Sequence, residues 1–515
     1  MTSLDLSSLG LESVPPEVWE LTQLTALDLS SNKLETTPFE GRLSTLPAEI
    51  GRLTRLTTLN VSFNGGMVLP PEIGELTQLT YLDLSHNGRL VLPAEIGKLT
   101  QLTTLYLTRN GLRALPAEIG KLTQLTTLYV NGNQLSALPE SLGRLEQLTD
   151  LRLGGNPLVS PPPEIIAAGT ASVVAFLAGV TRDPVQQWAS KVLVVGQGRA
   201  GKTSLLRALR GEAFDPQEDS THGLSVGTLA VPHPDPEHAD VRMRLSTWDF
   251  GGQDIYHATH QFFLSERSLF LLVWDAQVGW EESRLHYWLD MIAARSPKAP
   301  VVLVATHLGP RPPDFPLSDL RLAYPSLMVK NLSVDSCTGE GLAELRTVVA
   351  TVASQLPLMG TRWPRTWLEA ADAVREHPEN HVSVEQLRAI MSGRGVADPV
   401  HQDALATALH SLGDILYYPQ EVGLEDLVVL RPQWVTSYIS RVLDDQELDV
   451  RGYYGLFTQD HQRRIWADLD PEMRRHFVTM MERFDLSDRV PWCGVADQSV
   501  VVLGSAGALL GSSVG

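Results

Sequence analysis

The first third of the chain is a tandem repeat, and this repeat restricts the possible folds more than any other feature of the sequence. Five asparagines recur at intervals of 23 positions: Asn64, Asn87, Asn110, Asn133 and Asn156. Each ends a segment of the form LxxLxLxxN, such as LTTLYLTRN, with Val for the third Leu before Asn64 and Asn133. One unit cannot bury its own leucines, so neighbouring units must stack into a solenoid. The spacing therefore predicts about seven leucine-rich repeats over residues 1–160.

The strands of such a solenoid line a concave surface. Six residues beside the leucines are expected to face solvent there: Asp28, Asn60, Asp83, Tyr106, Tyr129 and Arg152. Because concave solenoid faces commonly bind other molecules, we expect an unidentified protein partner on this surface. Residues 161–188 begin with three prolines and continue as a helix-like stretch, which predicts a cap and linker after the repeats.

Composition limits the class of protein. A chain of 515 residues is too long for one core, and its net charge of −19 argues against a nucleic-acid partner. Its two cysteines exclude a disulfide framework. The N-terminus does not resemble a signal peptide, and no apolar run reaches the roughly 20 residues of a membrane span. We therefore expect a soluble, cytoplasmic protein without an integral membrane segment.

A phosphate-binding loop opens the second region, in KVLVVGQGRAGKTSLLRALRGE. An apolar strand runs into a Gly-x-x-x-x-Gly-Lys-Thr sequence, and a helical pattern follows, which is the context that a P-loop requires. Backbone N–H groups and the helix N-terminus would hold the phosphates, Lys202 would add a positive charge, and Thr203 would offer a hydroxyl to Mg²⁺. The expected phosphate-binding residues are Gly196, Gln197, Gly198, Arg199, Ala200, Gly201, Lys202, Thr203 and Ser204.

Two later motifs suit the same site. In WDFGGQ, Asp249 ends a predicted strand and is a second Mg²⁺ ligand, Gly252 can present its N–H to a γ-phosphate, and Gln253 can orient water. In STHGL, Thr221 is placed to reach Mg²⁺ and the γ-phosphate. The predicted metal ligands are therefore Thr203, Thr221 and Asp249.

Two competing interpretations of this segment are weaker. The letters DFG also occur in protein kinases, but the sequence has no HRD or VAIK motif, so no kinase domain is expected. His257 and His260 have a spacing that would allow a metal pair. No third ligand is evident, so an ordinary loop and helix is preferred.

Strands and helices alternate between residues 189 and 356, which predicts a doubly wound, mostly parallel sheet. The strand ends carry, in order, a P-loop, the DxxGQ motif, THLG and DSCTGEGL. This order is the layout of a small GTPase. The expected fold class is thus multidomain α/β.

The motifs GQGRAGKTS, STHGL, WDFGGQ, HYWL and SCTGEGL together resemble the Roco family, in which a Ras-like Roc GTPase domain precedes a COR domain. The resemblance implies Mg²⁺-dependent binding of GTP and GDP, slow GTP hydrolysis and a signalling switch. It implies catalytic roles for Lys202, Thr221 and Gln253. It also places four residues around the base: Thr306, His307, Ser336 and Cys337.

Residues 357–490 are similar to the first part of a COR domain, which predicts a small α+β, winged-helix-like module. The sequence lacks the family's second COR half, its main dimerisation element, so a homodimer is possible but is not favoured. Residues 491–515 are rich in Gly, Ser and Ala and are expected to be a disordered tail. A truncated product and a genuine short form both remain open.

The stretch VVLVATHLGP departs from the family pattern. Most GTPases end this strand with an Asp that accepts two hydrogen bonds from guanine, and Roco relatives often read THLD. Here Thr306 and His307 match, but Gly309 stands in place of the Asp, so guanine preference is expected to weaken. Asp314 could fold back as a substitute. The alternatives to a GTP switch are a base-unspecific ATP/GTP-binding domain and a repeat scaffold with a degenerate P-loop.

Overall fold

The computed structural model describes residues 2–32, 44–217, 224–251, 267–309, 315–325, 327–443, 445, 455–483, 487–491 and 499–503. The chain forms two compact units. Unit 1 contains Met1–Gln187, Thr361–Ala370 and Ser392–Leu405. Unit 2 contains Trp188–Gly360, Ala371–Met391 and Ala406–Gly515.

Unit 1 is built on the repeats. Over the described residues, seven parallel strands form its main sheet: Ser3–Asp5, Ala26–Asp28, Thr58–Asn60, Tyr81–Asp83, Thr104–Tyr106, Thr127–Tyr129 and Asp150–Arg152. The central leucines pair in register and are buried in the five inner strands, as for Leu82 and Leu105. Short 3₁₀ helices form the opposite side: Pro16–Glu20, Ala48–Arg52, Pro71–Glu75, Ala94–Lys98, Ala117–Lys121 and Glu140–Arg144. The solenoid is therefore the one that the 23-residue spacing predicts.

The asparagines of the repeat connect neighbouring turns. The Asn87 side chain is fully buried, and its Oδ1 accepts a hydrogen bond from the Asn64 N–H at 2.8 Å. Its Nδ2 donates to the Val61 carbonyl at 3.0 Å and to the Leu84 carbonyl at 2.8 Å. Each asparagine thus satisfies backbone groups that the turn would otherwise bury unpaired.

We expect Asn87→Ala to lower the free energy of unfolding of unit 1 by about 2 kcal/mol, because the Asn64 N–H and the Leu84 carbonyl lose their side-chain partner at about 1 kcal/mol each, while the Val61 carbonyl keeps its bond from Asn64 Nδ2. Urea denaturation of the full chain, followed by hydrogen exchange of the repeat amides, measures the loss. The matched control is Asn60→Ala. The Asn60 side chain is half-buried, donates to Asp28 at 3.0 Å and accepts from the Ser62 N–H at 3.1 Å, so its loss removes one backbone partner at about 1 kcal/mol. Equal losses in the two variants would contradict this role.

The end of the repeat array is covered by distant parts of the chain. Helices Pro163–Ala167 and Thr170–Arg182 follow the last repeat, as the helix-like sequence predicts. Strand Pro184–Gln186 then pairs antiparallel with Arg362–Pro364. The Phe176 ring meets the rings of Trp363 and Trp367 edge-on, with centroids 6.1 and 5.3 Å apart. Residues beyond 360 therefore complete unit 1.

Unit 2 contains the doubly wound sheet that the alternating sequence predicts. In the described part of the chain its six strands lie in the order Leu224–Pro232, Arg242–Phe250, Ala189–Val195, Ser268–Asp275, Val301–Thr306 and Met328–Ser333. Only the first pair is antiparallel. The helices are Lys202–Arg210, Leu285–Arg295, Leu317–Ala323 and Leu342–Ser354, with a short 3₁₀ turn at Pro236–His238.

The C-terminal third is mixed α+β. Its helices are Arg365–Glu376, Val384–Ser392, Pro399–Leu412, Pro432–Leu443, Gln459–Ile465 and Pro471–Arg483. Its strands are His381–Ser383, Leu416–Tyr417, Leu427–Val429, Gly455–Phe457, Ser487–Pro491 and Ser499–Leu503. The last of these lies in the segment expected to be a disordered tail. Among the described helices, none is long and apolar enough to cross a membrane.

The sheet of unit 2 and the helices after residue 406 share one core. Leu193 and Trp248 of the sheet pack in the same buried cluster as Val435 and Phe477. This shared burial explains why the two segments form one compact unit instead of two.

A buried ionic cluster lies within this contact. The Asp414 carboxylate accepts a hydrogen bond from Arg375 at 2.7 Å and lies 3.7 Å from the Arg244 guanidinium. Lys191 is buried beside it, with Nζ 4.7 Å from the centre of the Trp248 ring. Burial lowers the pKa of Lys191 to about 7, and the Asp414 charge opposes that shift. One carboxylate therefore faces three cationic side chains.

Candidate nucleotide-binding site

The glycine-rich loop begins where the central strand of the sheet ends. Strand Ala189–Val195 is buried between two parallel neighbours and leads into Gly196. A β-carbon on Gly196 would lie 2.0 Å from the Val273 carbonyl oxygen, so only glycine fits there. Gly201 has a φ of +76° and starts helix Lys202–Arg210. The loop therefore presents backbone groups at a helix N-terminus, which favours a phosphate.

Lys202 is held inside this loop. Its Nζ donates to the Gly196 carbonyl at 3.0 Å and to the Gln197 carbonyl at 2.9 Å. Burial lowers the pKa of Lys202 to about 8, against the opposing charge of Asp249. The ammonium group therefore lies at the centre of the loop and bonds two neutral carbonyl groups. A charged phosphate would form stronger hydrogen bonds with it than these carbonyls do.

A hydroxyl and a carboxylate meet beside the lysine. Thr203 Oγ1 donates to Asp249 Oδ2 at 2.6 Å. Both are oxygen ligands of the kind that Mg²⁺ prefers, and Mg²⁺ usually takes few protein ligands plus phosphate oxygens and waters. No group of three or more His, Cys, Asp or Glu side chains that could hold a metal occurs among the described residues. The pair fits a Mg²⁺ ion that arrives with a nucleotide.

The strand Val301–Thr306 contacts the loop at its carboxyl end. Thr306 Oγ1 is buried and bonds the Ala200 carbonyl at 2.8 Å and the Trp274 carbonyl at 3.0 Å. His307 follows in a left-handed conformation with a φ of +49°. Its Nδ1 lies 2.7 Å from Asp275 Oδ2, and its Nε2 would be 3.5 Å from a β-carbon on Gly201. Thr306 and His307 therefore fix the edge of the loop.

The next strand end adds a polar turn. Asp335 Oδ1 accepts hydrogen bonds from the Cys337 N–H at 2.8 Å and the Thr338 N–H at 3.1 Å. Ser336 is half-buried, and the Cys337 thiol is free and exposed. This turn precedes helix Leu342–Ser354 and lies at the same sheet edge as His307.

The structure brings most of the predicted site residues to one edge of the sheet. Residues 196–204 form the loop and first helical turn, and Gly198 and Arg199 are exposed while Ala200 is buried. Six residues singled out from the sequence lie outside the described part of the chain: Thr221, Gly252, Gln253, His257, His260 and Asp314. Their predicted roles are therefore untested.

Sequence reasoning missed two acids at this edge. Asp275 ends a buried strand and contacts His307. Asp335 lies two residues beyond the end of strand Met328–Ser333. The signal was present, because both residues stand at the carboxyl ends of parallel strands, where open sheets of this kind bind ligands.

Three family models match the chain. "Ras of Complex, Roc, domain of DAPkinase" matches residues 191–309. "C-terminal of Roc, COR-A domain" matches residues 364–502. "Leucine rich repeat" matches residues 54–112 and 100–158.

Curated relatives contain these domains within much longer proteins. The probable serine/threonine-protein kinase pats1 of Dictyostelium discoideum is 31% identical over 355 residues, which are 64% of this chain and 11% of that protein. A Roc-COR-CHAT protease of an unknown prokaryotic organism is 26% identical over 320 residues, which are 58% of this chain and 29% of the relative. The chain thus spans well under a third of their length.

A solved structure has the same domain pair. The Roco2 RocCORdC protein of Methanosarcina barkeri, bound to GDP, matches with a TM-score of 0.53 and 28% identity. The match covers 62% of this chain and 96% of that structure.

Proposed function

Since this chain belongs to the Roco family, with leucine-rich repeats followed by Roc and COR-A domains, we propose that it is a guanine-nucleotide-binding switch. The observation that carries the proposal is the convergence of Lys202, Thr203 and Asp249 on one glycine-rich loop. The GDP bound to the Roco2 structure supports the same class of ligand.

In the proposed mechanism, Lys202 exchanges its two loop carbonyls for oxygens of the β- and γ-phosphates. The loop N–H groups hold the remaining phosphate oxygens at the helix N-terminus. Thr203 and Asp249 would hold Mg²⁺, which neutralises charge on the phosphates. Orientation of water by Gln253 and contact of Thr221 with Mg²⁺ and the γ-phosphate stay predictions, as does slow hydrolysis of GTP.

The repeats are proposed to bind a protein partner on their concave face. The rings of Tyr81, Tyr106 and Tyr129 form a continuous row there, with centroids 5.6 and 4.8 Å apart. Aromatic rows of this kind are typical of protein interfaces, because they bury a large area at little cost in conformational entropy.

One observation favours a second candidate, a P-loop domain that binds ATP and GTP alike. Gly309 has no side chain to accept the guanine N–H groups at the position where relatives carry Asp. A third candidate, a repeat scaffold whose P-loop holds no nucleotide, is the least consistent with the Thr203–Asp249 pair.

Calorimetric titration of the full chain with GDP and with ADP, each with Mg²⁺, separates these candidates. We expect GDP to bind at least about tenfold more tightly than ADP, since a site that pairs with base N–H groups rejects a base that lacks them. Equal affinities would favour the base-unspecific domain. Binding of neither nucleotide would contradict the switch.

A further inference from the structure

Gly309 stands at the position where Roco relatives often carry an Asp. A β-carbon added to Gly309 would meet no atom of the described residues within 4 Å, and the glycine does not need a positive φ. The strand that leads to it ends at Thr306, against the P-loop carbonyl of Ala200. In the proposed binding mode, a base attached to phosphates in the loop extends past His307 toward Gly309.

An acid that follows the neighbouring strand lies at the same sheet edge as His307. Ser333 pairs with Ala305, and the Val334 N–H donates to the Ala305 carbonyl at 2.8 Å. This register places Asp335 next to His307 at the sheet edge. The Thr338 N–H above all, with the Cys337 N–H, the Thr338 side chain and the His307 charge in lesser roles, holds the pKa of the Asp335 carboxyl below its usual value. The carboxylate is therefore ionised at neutral pH.

The other nearby acid is already engaged. Asp275 Oδ2 contacts His307 Nδ1, and its Oδ1 accepts the Gln277 and Val278 N–H groups at 2.8 and 3.3 Å. The two backbone bonds of Asp335, by contrast, both fall on Oδ1. They fix the carboxylate in place, and the Thr338 side chain adds a further hydrogen bond to it.

We propose that Asp335 replaces the missing acid at position 309 and accepts a hydrogen bond from the Watson–Crick edge of guanine. The inference rests on the proposed function and deepens it, because it assigns the residue that selects the base. Guanine presents N1–H and N2–H donors to a carboxylate, whereas adenine presents the N1 lone pair, which a carboxylate repels. Asp335 offers guanine one carboxylate oxygen, whereas the Asp of the usual motif offers two. The preference for guanine over adenine should therefore be weaker than with the usual motif.

The test is Asp335→Asn in the full chain, titrated with GDP, XDP and ADP in the presence of Mg²⁺. The asparagine Oδ1 can still accept the Cys337 and Thr338 N–H groups, so the turn is preserved. Its amide donates to the C2 carbonyl of xanthine, which replaces the amino group of guanine. We expect GDP to weaken about tenfold and XDP to strengthen about tenfold, the size of one hydrogen bond. A merely structural residue would not strengthen XDP.

Two further variants complete the test. Asp314→Asn is the control for the other acid that follows this strand, and we expect it to leave the GDP-to-XDP ratio unchanged. Gly309→Asp, added to Asp335→Asn, should restore GDP binding because the new side chain enters open space.

The outcomes separate the two proposals. If wild-type protein binds none of the three nucleotides, the proposed function itself fails. If it binds GDP but Asp335→Asn leaves the GDP-to-XDP ratio within twofold of wild type, or if Asp314→Asn moves it instead, the role of Asp335 is wrong and the switch stands.

Discussion

Lys202→Ala is expected to weaken binding of GDP with Mg²⁺ by at least about 100-fold, or about 2.7 kcal/mol. The side chain supplies charge-assisted hydrogen bonds worth about 1.5–3 kcal/mol each, from a buried ammonium at the centre of the loop. Calorimetry on the full chain measures the loss. The apo protein should melt near the wild-type temperature, because the variant also removes a buried charge.

The matched control is Lys98→Ala, which removes the same charge from an exposed ion pair with Glu75 in the repeats. It should leave GDP affinity unchanged. An affinity of Lys202→Ala within threefold of wild type would contradict the P-loop role.

The affinity of the wild-type protein for GDP should also fall as the pH rises through about 8. Lys202 then loses its proton in the free site and must regain it to bind phosphate.

Asp414→Ala is expected to destabilise unit 2 by about 3–5 kcal/mol, the usual cost of leaving buried charges without their partner. The carboxylate is only 4% exposed and is the acid that contacts both Arg244 and Arg375 in the described structure. Its loss leaves Lys191 and the two arginines repelling one another. Denaturation of the full chain, followed by the fluorescence of buried tryptophans such as Trp248, measures the change.

Asp372→Ala is the natural comparison, because Asp372 also bonds Arg375 at 2.7 Å but is 62% exposed. An exposed pair contributes about 0–1 kcal/mol, so little loss is expected. The double variant Asp414→Ala with Arg375→Met should recover part of the stability, since it removes an uncompensated cation. If Asp414→Ala and Asp372→Ala cost the same, the cluster does not hold the sheet and the C-terminal helices together.

Much of the fold follows from the sequence, because its signals are periodic. The 23-residue spacing predicts the stacked repeats, since each asparagine, such as Asn87, meets the next turn at one fixed distance. Alternating apolar strands predict the doubly wound sheet in the same way. The return of Arg362–Pro364 to pair with Pro184–Gln186 could not be predicted, because that strand pairing joins segments far apart in the chain and carries no repeat.

The candidate site likewise has residues that the sequence predicts and contacts that it does not. Residues that lie within one contiguous motif, such as Lys202 and Thr203, follow from the P-loop pattern alone. Asp249 follows from its place at a strand end. The contact of Asp275 with His307, and the place of Asp335 at the same sheet edge, depend on which strands are neighbours, and the sequence does not state that order. The ionic cluster around Asp414 likewise needs two segments about 170–220 residues apart to meet.

The rings of Trp363 and Trp367 that cover Phe176 have a consequence for synthesis on the ribosome. Helix Thr170–Arg182 leaves the ribosome first. Trp363 and Trp367 are translated about 180 residues later, which takes roughly 10–40 s at ordinary elongation rates. During that interval the apolar face of Thr170–Arg182 is open to chaperones and to other nascent chains. The repeats thus begin folding early, while the protection of their last turn is delayed until the whole nucleotide-binding domain has been made.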